Sequence, residues 1–236
     1  MPRGESSTRK GGKREAAASE RADRDQSKAG ADKSEGATPV PQAAAPASTA
    51  VAVAPAPATI ARIENLDPIQ LFTLLPIRVY HHIAEVGAGK WFLTVPLAKY
   101  AYDGKVVALD DGQAVLDSVA QRASQSRMSN VSTLLIKDGK LPLPDASLDG
   151  VVISPVLHES SQPVDLLREI SRVLKPDGWV AAIEWIKGAS NGGPSAEERI
   201  AREDAVKLAQ EAGLRVLNQR NLNSYFYYIV LKKQRA

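Results

Sequence analysis

The sequence predicts an α/β protein, a three-layer αβα sandwich in which a mostly parallel sheet is covered by helices on both faces. Three observations predict it. From about residue 61 onward, short apolar runs alternate with amphipathic stretches, the pattern of parallel strands joined by covering helices. One such run ends at a glycine turn, Gly87-Ala88-Gly89, that leads into a helical stretch. The last two runs are separated only by a short polar turn, Asn221-Leu222-Asn223-Ser224, so they close as an antiparallel hairpin at one edge of the sheet.

The elements follow in order. Asp67-Pro68 starts a short helix, with Asp67 as N-cap, Pro68 at the first helical position and Ile69, Leu71, Phe72 and Leu75 buried. His82 to Val86 reads as a strand ending at Gly87. Phe92 to Tyr100 is a helix that tolerates Pro96 only near its first turn. Lys105 to Leu109 is a strand ending at Asp110. Gln113 to Ala123 is a helix with Val115, Leu116 and Val119 on one face. Val131 to Ile136 and Leu148 to Ile153 are strands. Pro163 to Leu174 is a helix stopped by Pro176-Asp177-Gly178, and Trp179 to Trp185 is a continuous apolar strand. Ser195 to Ala212 reads as a helix ending at Gly213. Leu214 to Asn218 and Tyr225 to Leu231 form the hairpin, with Tyr225-Phe226-Tyr227-Tyr228 on the two faces of a half-buried strand.

Composition divides the chain. All twelve aromatic residues lie after residue 60. The first 60 residues are rich in Ala, Pro, Ser and charges, and they lack the large apolar groups that offset ordering entropy. Residues 1–60 are therefore expected to be a disordered tail and Ala/Pro-rich linker, and 61–236 a single domain. The apolar stretch Ala43 to Ile60 is interrupted by Pro46, Pro55 and Pro57, which suits neither a membrane span nor a signal peptide. The chain has no cysteine and a net charge of +3. That excludes disulfides, thiolate metal sites and a cysteine nucleophile, and it fits a cytoplasmic protein. Arg9, Lys10, Lys13 and Arg14 give the tail a basic character suited either to nucleic-acid contact or simply to solvation. His81 and His82 are adjacent, point in opposite directions and have no third ligand in view, so no metal site is expected.

The chemistry concentrates in Glu85-Val86-Gly87-Ala88-Gly89 and in Asp110, 21 residues after Gly89. Glycines let the backbone turn sharply and approach a ligand, and the helix start beyond them offers free N–H groups. An acid at the end of the next strand can accept two hydrogen bonds from a ribose diol. Together they describe a nucleoside-containing ligand across the strand ends. A dinucleotide fingerprint would place glycine at position 92, where the chain has Phe92. Glu85 would also repel a pyrophosphate, whereas it can engage the ammonium of an amino acid, directly or through water. This favours S-adenosylmethionine over NAD.

These residues, with the runs Leu141-Pro142-Leu143-Pro144-Asp145-Ala146-Ser147-Leu148-Asp149 and Leu167-Arg168-Glu169-Ile170-Ser171-Arg172-Val173-Leu174-Lys175-Pro176-Asp177-Gly178, resemble class I S-adenosylmethionine-dependent methyltransferases of the ubiquinone-biosynthesis-like branch, type 11. The resemblance covers roughly residues 65–232. It implies a Rossmann-like sheet of seven strands in the order 3-2-1-4-5-7-6, with strand 7 antiparallel. It assigns Glu85, Gly87 and Gly89 to the methionine end of the cofactor and Asp110 to the ribose. Asp138, followed by Gly139, goes to the adenine, Ser154 lies near the methyl group, and His158 and Glu159 stand at the mouth of a small-molecule substrate site. The chain departs from the family at Trp91, which stands where a third glycine is usual, beside an unusual Lys90.

Plainer roles compete. Asp110 can cap the next helix, Glu85 can hold an ion pair, Asp138-Gly139 can be only a turn, and His158-Glu159 can be polar surface rather than a general base. Three functions compete likewise. A methyltransferase is the first, and an inactive methyltransferase-like binding or scaffold domain, with Trp91 as the cause, is the second. A nicotinamide-dependent oxidoreductase is the third, against which stand Phe92 and the lack of a Tyr-x-x-x-Lys pair.

Overall fold

The apolar run before the glycine turn becomes the central strand. The computed structural model describes residues 67–91, 93–188 and 193–234, without the side chains of Lys90 and Trp91. The expected tail and linker, Phe92 and the middle of the Gly188–Pro194 loop lie outside the described residues. Within them the strands are β1 (His82–Val86), β2 (Lys105–Asp110), β3 (Val131–Leu135), β4 (Leu148–Ile153), β5 (Leu174–Trp185), β6 (Leu214–Asn221) and β7 (Phe226–Lys233). The helices are α1 (Pro68–Thr73), α2 (Ala88–Trp91), α3 (Thr94–Tyr100), α4 (Gln113–Gln125), α5 (Pro163–Val173) and α6 (Arg202–Glu211).

The seven strands pair in the order β3-β2-β1-β4-β5-β7-β6. The four pairings from β3 to β5 run parallel, and β7 is antiparallel to both β5 and β6. The expected Rossmann-like sheet is therefore the observed one. Alternate side chains of each strand go to opposite faces. Ala84, Val86, Val151, Ile153, Val180 and Ala182 pack with Leu167 and Ile170 of α5 and Ala205 and Ala209 of α6. Ile83, Val106, Val152, Ala181 and Ile183 pack with Leu71 and Phe72 of α1 and Leu97 of α3. Ala108 meets Ala88 of α2 and Val119 of α4 on that second side.

Local chemistry explains most boundaries. Asp67 caps α1, its Oδ1 accepting from the Ile69 N–H at 2.9 Å. Gly213 at φ 78° terminates α6 in a backbone region that side chains avoid. Four expectations need correction. Ile69 is exposed, because the one-and-a-half-turn α1 buries only the Leu71–Phe72 side. Helix α5 stops at Val173 and Leu174 already belongs to β5, pairing with Leu148. The helix read from Ser195 starts only at Arg202, for a reason that lies in Arg199. Its buried guanidinium donates to the carbonyls of Pro194 and Ile186, both at 3.0 Å, and Tyr227 Oη donates to the Ile200 carbonyl. Arg199 thus ties the segment to the Pro194 and Ile186 carbonyls, and Tyr227 takes the Ile200 carbonyl just before α6 begins. Finally, the aromatic strand is not half-buried: with β7 between β5 and β6, as the expected strand order has it, Phe226, Tyr227 and Tyr228 are buried, and β6 is the edge.

The two runs that carry the family resemblance form one clamp. Arg172 of α5 donates to the carbonyls of Leu143 (2.9 Å) and Leu141 (3.0 Å) and to Asp145 (2.6 Å), and it pairs with Glu169 at 3.0 Å. Glu169 in turn takes Lys140 at 3.1 Å and the Leu141 N–H at 3.4 Å. The Arg172 guanidinium holds the Glu169 carboxyl below its ordinary value, with lesser help from Lys140 and the Leu141 N–H, against the opposing effect of burial. The Leu-Pro-Leu-Pro loop is thus pinned to α5. Arg172→Ala is expected to cost about 1–2 kcal/mol, since the ionic partners are partly solvated but two carbonyls lose their donor. Urea unfolding checks it.

Gly150 of β4 sits opposite Trp179 of β5. A Cβ there would lie 2.2 Å from the indole ring. Gly150→Ala is expected to destabilise the domain by about 2–3 kcal/mol through overpacking, read as a lowered denaturation midpoint. An unchanged midpoint would show that the indole can move aside.

Candidate functional site

Strand β1 runs beside β2 on one side and β4 on the other, and the chain winds away from it in both directions. Such a switch point leaves a crevice outside the carboxyl ends of the strands, where ligands of open α/β sheets bind. Gly87 enters the crevice with φ 80°. Its N–H donates to the Leu109 carbonyl at 2.9 Å, and the Ser154 N–H donates to the Val86 carbonyl at 3.0 Å, so the ends of β1, β2 and β4 are locked together. A Cβ at Gly87 would meet Val156 Cγ1 at 2.4 Å, and one at Gly89 would meet Val115 Cγ1 at 2.3 Å. The glycines let the β4 loop and α4 close on the turn.

Asp110 stands at the end of β2, where it is buried. Its Oδ2 accepts from the Gly89 N–H at 3.3 Å and its Oδ1 from the Gly112 N–H at 3.0 Å. The expected capping role and the expected place beside the glycine loop therefore coincide in one side chain. A carboxylate offers about four lone-pair sites, so two accepted bonds leave capacity for a diol.

Glu85 is on the α3 side of β1, fully buried beneath the loop. Thr94 Oγ1 donates to its Oε2 at 2.5 Å and Ser154 Oγ to its Oε1 at 2.8 Å. Burial pushes its carboxyl up to about 7, against the opposing pull of Thr94, Ser154, the Leu93 N–H and the more distant Arg122 charge. Ser154 is itself buried, with its hydroxyl turned to Glu85. Asp138 and Gly139 form an exposed turn with φ 50° and 68°, closed by Lys140 N–H to the Lys137 carbonyl at 2.8 Å. The side chain of Trp91, the family departure, lies outside the described residues.

His158 follows β4 and its ring is almost wholly buried. The expected partner Glu159 lies 3.7 Å from Nε2 and is half exposed. The closer partner is one the sequence reading missed. Glu184, near the end of β5 and fully buried, has its Oε2 2.8 Å from His158 Nδ1. The available signal was the one charged residue in the apolar run Trp179 to Trp185. Arg199, also missed, stacks on the Trp185 ring at 5.4 Å and holds the 194–200 segment beside this cluster. Asp110, Glu85, His158 and Glu184 all lie at the carboxyl ends of β1, β2, β4 and β5 or just past them.

Comparison with known proteins agrees with this geometry. Residues 84–182 match the family model described as a methyltransferase domain. An uncharacterized methyltransferase of Schizosaccharomyces pombe is 31% identical over 119 residues, covering 48% of this chain and 43% of that one. A demethylmenaquinone methyltransferase of Symbiobacterium thermophilum is 33% identical over 105 residues, covering 44% and 42%. The chain thus spans less than half the length of these curated relatives. Among solved structures, a SAM dependent methyltransferase from Aquifex aeolicus superposes with a TM-score of 0.69 at 27% identity, covering 72% of this chain and 92% of that one. The strand order, the glycine turn and the motifs in sequence are thus those of class I S-adenosylmethionine-dependent methyltransferases of the type 11 kind, and residues 84–182 match the methyltransferase domain.

Proposed function

We propose that this chain transfers a methyl group from S-adenosylmethionine to a small-molecule acceptor. The observation that carries the reading is Asp110, buried at the end of β2 and tied to the Gly89 N–H at the switch point of the sheet. The donor, when bound, supplies a methyl group on a sulfonium, whose leaving group needs no further activation. The protein's task is then alignment, exclusion of water and removal of a proton. In this reading Asp110 accepts from the ribose hydroxyls, Gly87 and Gly89 admit the methionine end, Asp138 and Gly139 border the adenine, and Ser154 lies near the methyl group. Glu85 supports the loop from below, through Thr94 and Ser154, and its charge responds to the cationic ligand. His158 is the general base, with Glu159 at the mouth of the acceptor site. The folded unit is taken as 61–236, and the lack of cysteine suits the cytoplasm. Among the described residues no helix is long and apolar enough to cross a membrane.

Calorimetric titration of the full chain with S-adenosylmethionine, S-adenosylhomocysteine and NADH tests the reading, alongside Trp91→Gly. Saturable binding of the first two by the wild-type chain is expected. Binding only by Trp91→Gly would replace this reading with an inactive methyltransferase-like domain, and binding of NADH alone would overturn both.

A further inference from the structure

We propose that the free edge of β3 pairs with β3 of a second copy of this chain, antiparallel about a two-fold axis, so that the protein is a homodimer with one continuous sheet. β3 ends the sheet and pairs only with β2. The Val106 N–H donates to the Asn130 carbonyl and the Ile136 N–H to the Asp110 carbonyl, so the even-numbered residues of this stretch turn their backbone groups to β2. Successive residues alternate, and Val131, Thr133 and Leu135 therefore turn an N–H and a carbonyl outward. Among the described residues nothing takes those groups. The two ends of the sheet differ. At the β6 end the register slips between Val216 and Asn218, and exposed Arg215 and Arg220 blunt the edge. β3 has no such guard. Val131 to Ile136 carries no charge, proline or glycine, and no residue of β3 is fully buried.

What lies beside the edge points to a second copy as the occupant. A groove of about 470 Å³ runs along it, lined by Ala120, Ala123 and Ser124 of α4 and by Val131, Ser132 and Thr133. Small side chains on α4 let another helix approach closely. Thr133 aligns with Ala108, which packs against Val119 of α4, so Thr133 is on the α4 face. A two-fold axis through Thr133, perpendicular to the sheet, sets it against the partner's Thr133 and sets Val131 against the partner's Leu135, both outward-bonding pairs. The same axis lays α4 antiparallel beside its image. On α4 the exposed Asp117, Ala120 and Ser124 follow one face, and the exposed Arg127 comes just past its end. An acid at one end, a cation at the other and small residues between are self-complementary under a two-fold: Asp117 meets the partner's Arg127, and the reverse. Lys137 and Asp138, just past β3, offset one another.

Sedimentation velocity of the full chain, with hydrogen exchange read residue by residue, tests the proposal. One strand and one helix face make an interface near the lower size limit of stable ones, so a dimer with a Kd of about 1–100 µM is expected. The amides of Val131, Thr133 and Leu135 should exchange more slowly as the concentration rises through that range, while those of Ser132 and Leu134, which face β2, stay unchanged. Thr133→Lys sets two ammonium groups against each other on the axis and should weaken dimerisation by about tenfold or more. Asp117→Arg and Arg127→Asp should each weaken it by about threefold or more, and the double variant should return to the wild-type value. Aspartate tolerates the φ of 56° at residue 127. A wild-type chain still monomeric at about 500 µM overturns the proposal, and so does a dimer indifferent to Thr133→Lys, which would lie on another surface. Protection of the three outward amides that does not change with concentration would mean that the same chain covers the edge, which overturns it as well. A double variant weaker than either single one would overturn the antiparallel placement of α4.

Discussion

Asp110→Ala is expected to weaken S-adenosylhomocysteine binding by more than about 100-fold, because two charge-assisted hydrogen bonds to a ribose diol are each worth about 1.5–3 kcal/mol. The loss has a second component. Asp110 receives the Gly89 and Gly112 N–H groups, so its removal also frees the loop that must meet the ligand. Asp110→Asn separates the two. An amide keeps one acceptor but turns its NH2 toward a backbone N–H or a ribose hydroxyl that had been donating. Binding should fall nearly as far as in Asp110→Ala, while the melting temperature falls less. Calorimetry at a temperature well below the melting transition of each variant is the measurement. An affinity within threefold of wild type for both variants would mean that Asp110 serves only as the cap of α4.

The sequence disclosed the fold because its periodicities were local and consistent. Several strands were bounded by Gly or Asp (Gly87, Asp110, Gly178, Gly213), and the missing helix before the last strand dictated the antiparallel pair. The errors came from tertiary competition. Nothing in Ser195 to Ile200 forbids helix, and the bonds that accompany its irregular path, Arg199 to the Pro194 and Ile186 carbonyls and Tyr227 to the Ile200 carbonyl, come from tertiary contacts. Of the site, the glycine turn and the acid at the strand end were legible, because backbone geometry demands those residue types at that spacing. The His158–Glu184 contact was not. It joins residues 26 apart, one in the loop after β4 and one on the neighbouring β5, and chain adjacency pointed to Glu159 instead. The compensating clue, a lone acid in an apolar strand, has physical force: a buried carboxylate persists only with donors around it, so its presence implied partners across the sheet.

Glu85→Gln is expected to remove most of the domain's loss of stability between pH 4.5 and about 7. The carboxyl is pushed up from 4.5 to about 7 by burial. Between those values the unfolded chain has released the proton and the folded chain has kept it, so stability falls as pH rises. The penalty is absent below pH 4.5 and complete above pH 7, where it amounts to about 3 kcal/mol. Glutamine retains the neutral form at every pH. Its oxygen accepts from one hydroxyl and its NH2 donates to the other, since Thr94 and Ser154 can each turn to accept. Urea melts at pH 5 and pH 8 should therefore differ less for the variant than for wild type, with the variant the more stable at pH 8. Binding is coupled to the same proton. A cationic ligand above the loop favours the ionised carboxylate, so near pH 6.5 S-adenosylmethionine should release protons on binding, detectable as a heat that depends on the buffer's ionisation enthalpy. Loss of that dependence in Glu85→Gln would place the proton on Glu85. If the variant released as many protons as wild type, the ligand's charge would be felt elsewhere, and Glu85 would be a buried strut indifferent to what binds above it.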